Sequence, residues 1–328
     1  MPPVTVRAGV IVVTYNSRAH FARLKAAVEK LTTPHRLIVV DNASAAEQRP
    51  APADLPAHAE LIQSETNLGF AAGNNLAAKL LDTEFIVLLN PDAFPDPDWL
   101  DRLIAAADRR PEAAAFGSTQ IDAQDETRFD GLGDCYHAAG IPWRGGYGAT
   151  RTTPPPEGEC FSPCAAAALY RRQAWRAMGG FDERFFCYCE DVDLGFRLRL
   201  AGWTIIQVPD AIVRHVGGGS SGKRSAFAVF YGTRNRLWTF VKDMPGALFW
   251  PMLPAHLAIT ILFLAVSPFR GTGPATWRGV GAGLKGLPEI WRARRETQSA
   301  RKASTGAIAR ALAWSPIAMV KRLPVIRR

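Results

Sequence analysis

Cysteine is scarce in this sequence and follows no recognisable pattern. The 328 residues contain five cysteines, an odd number in a chain large enough to fold around a hydrophobic core. A disulfide framework is therefore not expected, and the spacings lack the paired arrangement of a zinc site. We expect small buried side chains and a reducing compartment. The five are Cys135, Cys160, Cys164, Cys187 and Cys189.

Two further signals are missing. No Gly-x-Gly-x-x-Gly follows the first apolar run. The main sequence motif of a nicotinamide-dependent enzyme is therefore missing, and this class of enzyme is disfavoured. That run, residues 8–13, is too short for a secretory signal and is followed by polar residues. It is typical of a buried strand.

Acidic residues are nearly missing from the C-terminal end. From residue 270 onward there are thirteen Lys and Arg residues and two Glu residues, whereas the whole chain has a net charge of +9. The first 269 residues are therefore close to neutral, and the charge does not indicate nucleic-acid binding by the body of the protein. We expect the basic segment to bind an anionic surface. The alternative is that this segment is a solvated charged tail.

Short apolar runs alternate with helical stretches in the first third of the chain. This alternation predicts a doubly wound α/β domain whose strands are buried on both faces. The strand runs are residues 9–13, 37–40 and 85–89, and the helical stretches are 19–31, 71–81 and 98–109.

Polar residues follow each of the three runs, at 14–16, 41–44 and 90–92. Because ligands of open α/β sheets bind beyond the carboxyl ends of the strands, we expect these residues to line one crevice. Residues 118–160 are rich in glycine and predict loops and short strands. Periodic structure returns at 165–179, and a strand is expected at 203–208.

The apolar segment 248–266 is barely long enough to span a bilayer and contains Pro251, Pro254 and His256. We expect an interfacial helix or hairpin, with a spanning helix and a packed soluble helix as alternatives. Tryptophans lie among the basic residues that follow, which favours the anionic cytoplasmic leaflet.

Three carboxylates, Glu190, Asp191 and Asp193, stand at the start of a predicted helix behind the aromatic residues of 185–188. Apolar neighbours and like charges raise the pKa of a carboxyl group towards the range of a general base. The alternative is an acidic first turn that complements the helix dipole.

Other candidate residues have equally ordinary alternatives. Asp41 can bind a nucleoside or form an Asx turn. Asp92 can bind a hard divalent cation or form a simple turn. His215, before the glycine-rich residues 217–220, suits a metal or a phosphate, although a lone histidine is usually structural. The segment 67–75 places glycines and amides at a helix start, which suits a phosphate-bearing ligand.

These segments, in this order, resemble the motifs of family 2 glycosyltransferases, and most closely the rhamnosyltransferase-like branch. The resemblance covers about residues 8–240 and rests on several ordered motifs. They are Val10-Ile-Val-Val-Thr-Tyr-Asn-Ser17, Val39-Val-Asp-Asn-Ala-Ser44, Asn67-Leu-Gly-Phe-Ala-Ala-Gly-Asn-Asn75, Leu88-Leu-Asn-Pro-Asp92, Gly179-Gly-Phe-Asp-Glu183 through Glu190-Asp-Val-Asp-Leu194, and His215.

The resemblance implies a GT-A fold, a Rossmann-like and mostly parallel sheet flanked by helices. It also implies inverting transfer of a sugar, with rhamnose as a candidate, from a nucleotide-diphosphate sugar, with Mg²⁺ or Mn²⁺ on the diphosphate. Asp191 is then the general base, and Glu190 and Asp193 orient it or contact acceptor hydroxyls. Asp92 and His215 hold the cation. The residues implied on the donor side are Thr14, Asn16, Asp41, Asn67, Gly69, Asn74 and Asn90, the last standing where stricter motifs have an aspartate.

The sequence therefore predicts a catalytic domain at 1–240, with a donor half to about residue 117, and a membrane-associated helical arm at 241–328. We expect a glycan or lipid-linked acceptor, a membrane surface met through 248–328, and a peripheral or monotopic position on the cytoplasmic face of the inner membrane. A non-catalytic nucleotide-sugar binding protein is the main alternative. A glycoside hydrolase is disfavoured because it needs no nucleotide crevice. No oligomeric state is predicted.

Overall fold

The structure is a computed structural model that describes residues 6–152, 155–217 and 225–327. Strands β1 to β12 are Ala8–Thr14, His35–Asp41, Ala59–Gln63, Phe85–Leu89, Ala93–Pro95, Ala113–Asp122, Phe129–Leu132, Asp134–His137, Ile141–Arg144, Gly158–Glu159, Ala167–Arg171 and Thr204–His215. Helices α1 to α11 are Phe21–Val28, Gly69–Lys79, Trp99–Arg109, Arg172–Ala177, Glu190–Leu200, Ala226–Asp243, Gly246–Val266, Gly273–Lys285, Leu287–Ser299, Thr305–Ala311 and Pro316–Val320.

One mixed sheet organises the described residues. Its main order is β10-β12-β6-β11-β4-β1-β2-β3, with β5 beside β12 and β7 beside β6. Strand β1 pairs in parallel with β2 and β4, and β12 pairs in parallel with β6. Strand β11 runs antiparallel between β4 and β6. The prediction of three buried parallel strands is confirmed, and the antiparallel β11 was not predicted.

Alternate residues of the central strands build two cores. Val10 and Val12 face a core covered by α1 and α3. Ile11 and Val13 face the opposite core, to which α2, α4 and α5 contribute. Because successive side chains of a strand point to opposite faces, an unbroken β-branched run can be buried on both sides.

The polar ends of β1, β2 and β4 lie along one edge of the sheet, as predicted. Parallel pairing sets Thr14 opposite Asp41. In the adjoining β1–β4 pair, Ile11 is opposite Leu88, so the chain beyond Leu89 leaves the sheet at the same edge. This edge carries the candidate site.

Some predicted boundaries differ from the structure. Strand β12 continues to His215 instead of ending near residue 208, with a register shift between Val208 and Ile212. Residues 118–160 hold the second half of β6 and all of β7 to β10, in agreement with the short strands expected there. The domain boundary predicted at residue 240 falls inside α6, which ends at Asp243.

The C-terminal arm packs on the catalytic body. Phe249, Ile308 and Leu312 share a core with Tyr136 and Phe196. Near the end of the chain, Arg327 exchanges backbone hydrogen bonds of 2.6 and 2.9 Å with Glu159. The arm therefore contributes to the core of the domain that it follows.

Helix α7 covers the segment that we expected at a membrane. It runs through Pro251 and Pro254, and it is the one helix in the described ranges that is long and apolar enough to cross a membrane. Its buried residues, Phe249, His256 and Thr260, face the protein. Ile261 and Leu262, by contrast, are 65% and 56% exposed.

Candidate active site

The edge of β1 and β2 holds two buried oxygen atoms without a partner. The Thr14 hydroxyl and Asp41 Oδ1 have no hydrogen bond to any described residue. Asp41 Oδ2 accepts a hydrogen bond from the backbone N–H of Ser44 and lies 3.6 Å from Arg49 Nε. A buried polar atom without a partner is costly, so this edge suits a ligand that offers donors.

Asn16 joins the loops that follow β1 and β2. Its backbone is left-handed, with φ of 51°, its N–H donates to Ser44 Oγ at 2.8 Å, and its Oδ1 accepts from the N–H of Ala45 at 2.9 Å. Asn16 thereby fixes the two loops beside Thr14 and Asp41.

The segment at the start of α2 has local hydrogen bonds for its amides. Asn67 Oδ1 accepts from the N–H of Gly69 at 2.9 Å, and Asn74 Nδ2 donates to the Phe70 carbonyl at 2.8 Å. Gly69 has φ of 81°, and a Cβ there would lie 2.6 Å from the carbonyl oxygen of Phe186. Glycine is thus required where α2 meets the loop before α5.

Asp92 and His215 meet, although 123 positions separate them in the sequence. Strand β12 pairs with β5 so that His215 stands opposite Ala93, and its Nε2 lies 3.3 Å from Asp92 Oδ1. Asn90 Nδ2 is 3.5 Å from the same nitrogen. The structure thus brings together the two predicted cation ligands. The following residues 218–220 lie outside the described residues.

Asp130 and Arg144 extend this cluster and were missed in the sequence. Asp130 Oδ2 lies 2.7 Å from His215 Nδ1 and also pairs with Arg144. Burial opposes the charged form of His215, but hydrogen bonds to Asp130 and Asp92 outweigh burial and raise its pKa.

Asp191 lies at the start of α5 beside a second carboxyl group. Its side chain accepts hydrogen bonds from the N–H groups of Ala165 and Val192, at 3.1 and 2.8 Å. Burial nevertheless raises the pKa of Asp191. The side-chain ligand atoms of Asp134, Cys164 and Asp191 all lie within 4.8 Å of one another.

In this pair, Asp134 is the group whose pKa is raised more strongly. Burial, followed by the charge of Asp191, raises the pKa of Asp134 well above its usual value, and the two side chains share a hydrogen bond. Asp191 is the weaker proton acceptor because backbone donors and Arg144 favour its ionised form. Burial also raises the pKa of the Cys164 thiol to about 12, so this thiol is a poor ligand for a hard cation.

The two carboxylates beside Asp191 have different surroundings, and the pKa of Glu190 is shifted in the expected direction. Burial and the charge of Asp191 raise the pKa of Glu190 well above its usual value, which disfavours the ionised form. Asp193 is fully buried, with Arg197 Nε at 2.8 Å and Lys242 Nζ at 2.6 Å. These contacts suit a structural role for Asp193, and the catalytic role of this residue stays a prediction.

The described side chains thus form a continuous series of contacts from the edge of β4 to α5. It runs from Asp92 through His215, Asp130 and Arg144, and Arg144 interacts electrostatically with Asp134 and Asp191. Only acidic residues flanked by glycine, at 130–134, hint at the middle of this series in the sequence. The arrangement can place a cation and a proton-accepting carboxylate in one crevice.

Comparison with known proteins identifies the family. The model of glycosyl transferase family 2 matches residues 9–179. The chain belongs to this family. It is a family 2 glycosyltransferase of the rhamnosyltransferase-like branch, as predicted, since it is 32% identical over 243 residues to N-acetylglucosaminyl-diphospho-decaprenol L-rhamnosyltransferase of Mycobacterium tuberculosis. That alignment covers 66% of this chain and 78% of the relative.

Two solved structures share the fold. The mannosyltransferase PcManGT of Pyrobaculum calidifontis, solved with GDP-Man and Mn²⁺, has a TM-score of 0.54 at 18% identity over 94% of this chain and 87% of its own. TarS 1–349 of S. aureus with UDP has a TM-score of 0.51 at 15% identity over 89% of this chain and 92% of its own. The predicted GT-A fold is confirmed.

Proposed function

We propose that this glycosyltransferase moves a sugar, with rhamnose as the candidate, from a nucleotide-diphosphate sugar to a lipid-linked acceptor with inversion at the anomeric carbon. The observation that carries the proposal is the series of contacts from Asp92 to Asp191. It joins a pair suited to a cation with a half-buried carboxylate whose pKa is raised. Both are needed when a diphosphate leaves and an acceptor hydroxyl loses its proton.

The donor is assigned to the edge formed by β1, β2 and β4. The partnerless oxygens of Thr14 and Asp41 accept hydrogen bonds from the nucleoside. Asp92 and His215 Nε2 hold a divalent cation, and Asp130 orients the imidazole through Nδ1. When bound, the cation neutralises charge on the diphosphate leaving group. PcManGT was solved with GDP-Man and Mn²⁺, and TarS 1–349 was solved with UDP, which supports this assignment.

Asp191 is assigned to the acceptor. Its carboxylate takes the proton of the attacking hydroxyl, while the N–H groups of Ala165 and Val192 hold it in place. Protonated Asp134 donates to Asp191 and keeps it ionised. Arg144 compensates the negative charge of the crevice.

A lipid-linked acceptor is supported by the relative and by the arm. The mycobacterial relative is named for a diphospho-decaprenol acceptor. The exposed face of α7 is apolar and the arm is basic, which suits an anionic membrane surface. On this basis we assign the protein to the cytoplasmic face of the cell membrane, where the basic residues meet anionic lipids.

Donor binding tests the proposal. Uridine, thymidine and guanosine diphosphate sugars are titrated against the full-length protein by calorimetry, with and without Mn²⁺. We expect one base to bind, with at least tenfold weaker affinity when Mn²⁺ is removed or Asp92→Ala is introduced.

The matched control is Asp82→Ala, which removes a carboxylate whose side chain is 87% exposed on the catalytic body. It should leave donor affinity unchanged. Binding of no donor would contradict the assignment of the crevice. Cation-dependent binding without release of nucleoside diphosphate would favour the non-catalytic alternative.

A further inference from the structure

A buried arginine outside the crevice pairs with no acidic residue in the part of the chain that the structure describes. Arg236, on α6, is 5% exposed and forms no ion pair with any described residue. Its Nη2 donates to Thr260 Oγ1 on α7 at 2.8 Å, but Nε and Nη1 have no hydrogen-bond partner in the described ranges. A buried cation without a counter-charge is strongly disfavoured unless a ligand supplies the charge.

Two more buried polar atoms without a partner are near this guanidinium. They are the Tyr136 hydroxyl, on β8, and His256 Nε2, on α7. Arg236 interacts electrostatically with both residues and with Cys189, the N-cap of α5. His256 Nδ1 faces the Ala139 carbonyl at 2.9 Å, so its Nε2 donates only when the ring carries a second proton, which a nearby anion favours. The N–H groups of Arg236 and the Tyr136 hydroxyl are donors that suit a phosphate.

The position of this cluster relates it to the reaction. Tyr136 and Asp134 are two residues apart on β8, so their side chains leave the strand on the same face about 7 Å apart. Asp134 contacts Asp191, the assigned base. The cluster is therefore about one sugar residue away from the place where the acceptor hydroxyl loses its proton.

An apolar groove of about 600 Å³ adjoins this cluster at His256. It lies between α6, α7 and α9, and His256 is one of its lining residues. Its walls include Leu237, Phe249, Leu253 and Leu257, and Arg292 and Arg295 also line it. Apolar walls beside basic residues suit a hydrocarbon chain that carries an anionic group.

We propose that Arg236 and Tyr136 bind a phosphate group of a lipid-linked acceptor, whose hydrocarbon chain lies in this groove. The inference rests on the proposed function, and it adds the site that holds the acceptor by its phosphate. The sugar attached to the phosphate then extends towards Asp134 and Asp191. Specificity for an acceptor that carries both a phosphate and a lipid follows from this arrangement.

Binding of farnesyl diphosphate to the full-length protein in detergent tests the site. Farnesol and inorganic pyrophosphate are separate probes, and the fluorescence of Trp250 and Trp291, which line the groove, reports binding. We expect farnesyl diphosphate to bind at least tenfold more tightly than either probe. Arg236→Met should weaken it at least tenfold, Tyr136→Phe should weaken it less, and the exposed control Arg278→Met should leave it unchanged.

Several outcomes would overturn the inference. They are no binding of farnesyl diphosphate, equal binding of pyrophosphate alone, and an affinity unchanged by Arg236→Met. If Arg236→Met does not fold, as judged by the loss of a cooperative melting transition, an affinity unchanged by Tyr136→Phe overturns it.

Sugar transfer is measured in parallel, and it separates the two proposals. If the wild type neither binds nor transfers a nucleotide sugar but its affinity for farnesyl diphosphate depends on Arg236, the proposed function fails and the phosphate site stands. If transfer proceeds and the affinity for farnesyl diphosphate is independent of Arg236, the proposed function stands and the phosphate site fails.

Discussion

Asp134 and Asp191 lie next to each other but have different surroundings. Asp191 has two backbone donors, whereas the pKa of Asp134 is raised both by burial and by its neighbour. The proton therefore stays on Asp134 and Asp191 stays available. A pair of carboxyl groups separated in this way is typical of acid–base sites.

The pH dependence of transfer should follow this pair. In the wild type, the acid limb of kcat/KM should lie above the ordinary aspartate value of about 3.9, because burial raises the pKa of Asp191 and the ionised form is active. Asp134→Ala removes the donor that favours the ionised form of Asp191, so the limb should move to higher pH, whereas Asp134→Asn keeps a donor and should move it less. Asp125→Asn, on an exposed loop, is the control. A limb that stays in place or moves to lower pH in Asp134→Ala would contradict the pairing.

The sequence predicts part of this site because part of it is local. Asp92 follows a buried strand and Asp191 opens a helix, and each is visible in a short segment. Asp130, Asp134 and Arg144 belong to short strands whose pairing brings distant residues together. No local periodicity reports such pairing, so these residues were not found.

At the scale of elements, a buried ionic network joins the active-site helix to the arm. Lys242, near the end of α6, is 3% exposed. Its Nζ lies 2.5 Å from Asp182 Oδ2 and 2.6 Å from Asp193 Oδ1 of α5. Asp193 also pairs with Arg197. The orientation of α5, and with it Asp191, depends on these contacts.

Loss of Lys242 should therefore destabilise the fold. Lys242→Met leaves two buried carboxylates without their shared cation, and we expect the free energy of unfolding in urea to fall by about 3–5 kcal/mol. Lys285→Met, at an exposed position of the same arm, should change it by less than about 0.5 kcal/mol. Equal effects of the two substitutions would mean that the network does not stabilise the protein.

Prediction of the elements succeeded where hydrophobic patterns are strong. The runs that became β1, β2 and β4 are apolar throughout, and α7 was visible as an apolar segment. The continuation of β12 to His215 and the insertion of β11 between β4 and β6 depend on partners elsewhere in the chain. The end of the catalytic body at residue 240 was predicted from a change of composition, which does not report packing.

At the scale of the whole molecule, apolar residues are exposed on the arm. Ile261, Leu262 and Phe269 are 65%, 56% and 91% exposed and lie at the C-terminal end of α7 or just beyond it. Basic residues follow in the chain. An apolar face next to positive charge suits the surface of an anionic membrane.

Substitution of this face should reduce membrane binding without unfolding the protein. Ile261→Gln, Leu262→Gln and Phe269→Gln together should lower binding to anionic lipid vesicles by tenfold or more in a sedimentation assay, with little change in Tm. Leu80→Gln, which changes a 46% exposed leucine on the catalytic body, should have no effect. Unchanged sedimentation of the triple variant would refute a role of this face.

The most direct test of the account is the comparison of Asp191→Asn with the wild type in two measurements, sugar transfer and donor affinity. We expect transfer to fall by about 10²–10⁴-fold because the base is lost, while donor affinity stays within about twofold. Equal loss of transfer and donor affinity would show that Asp191 is structural. Transfer at the wild-type rate would show that another group accepts the proton.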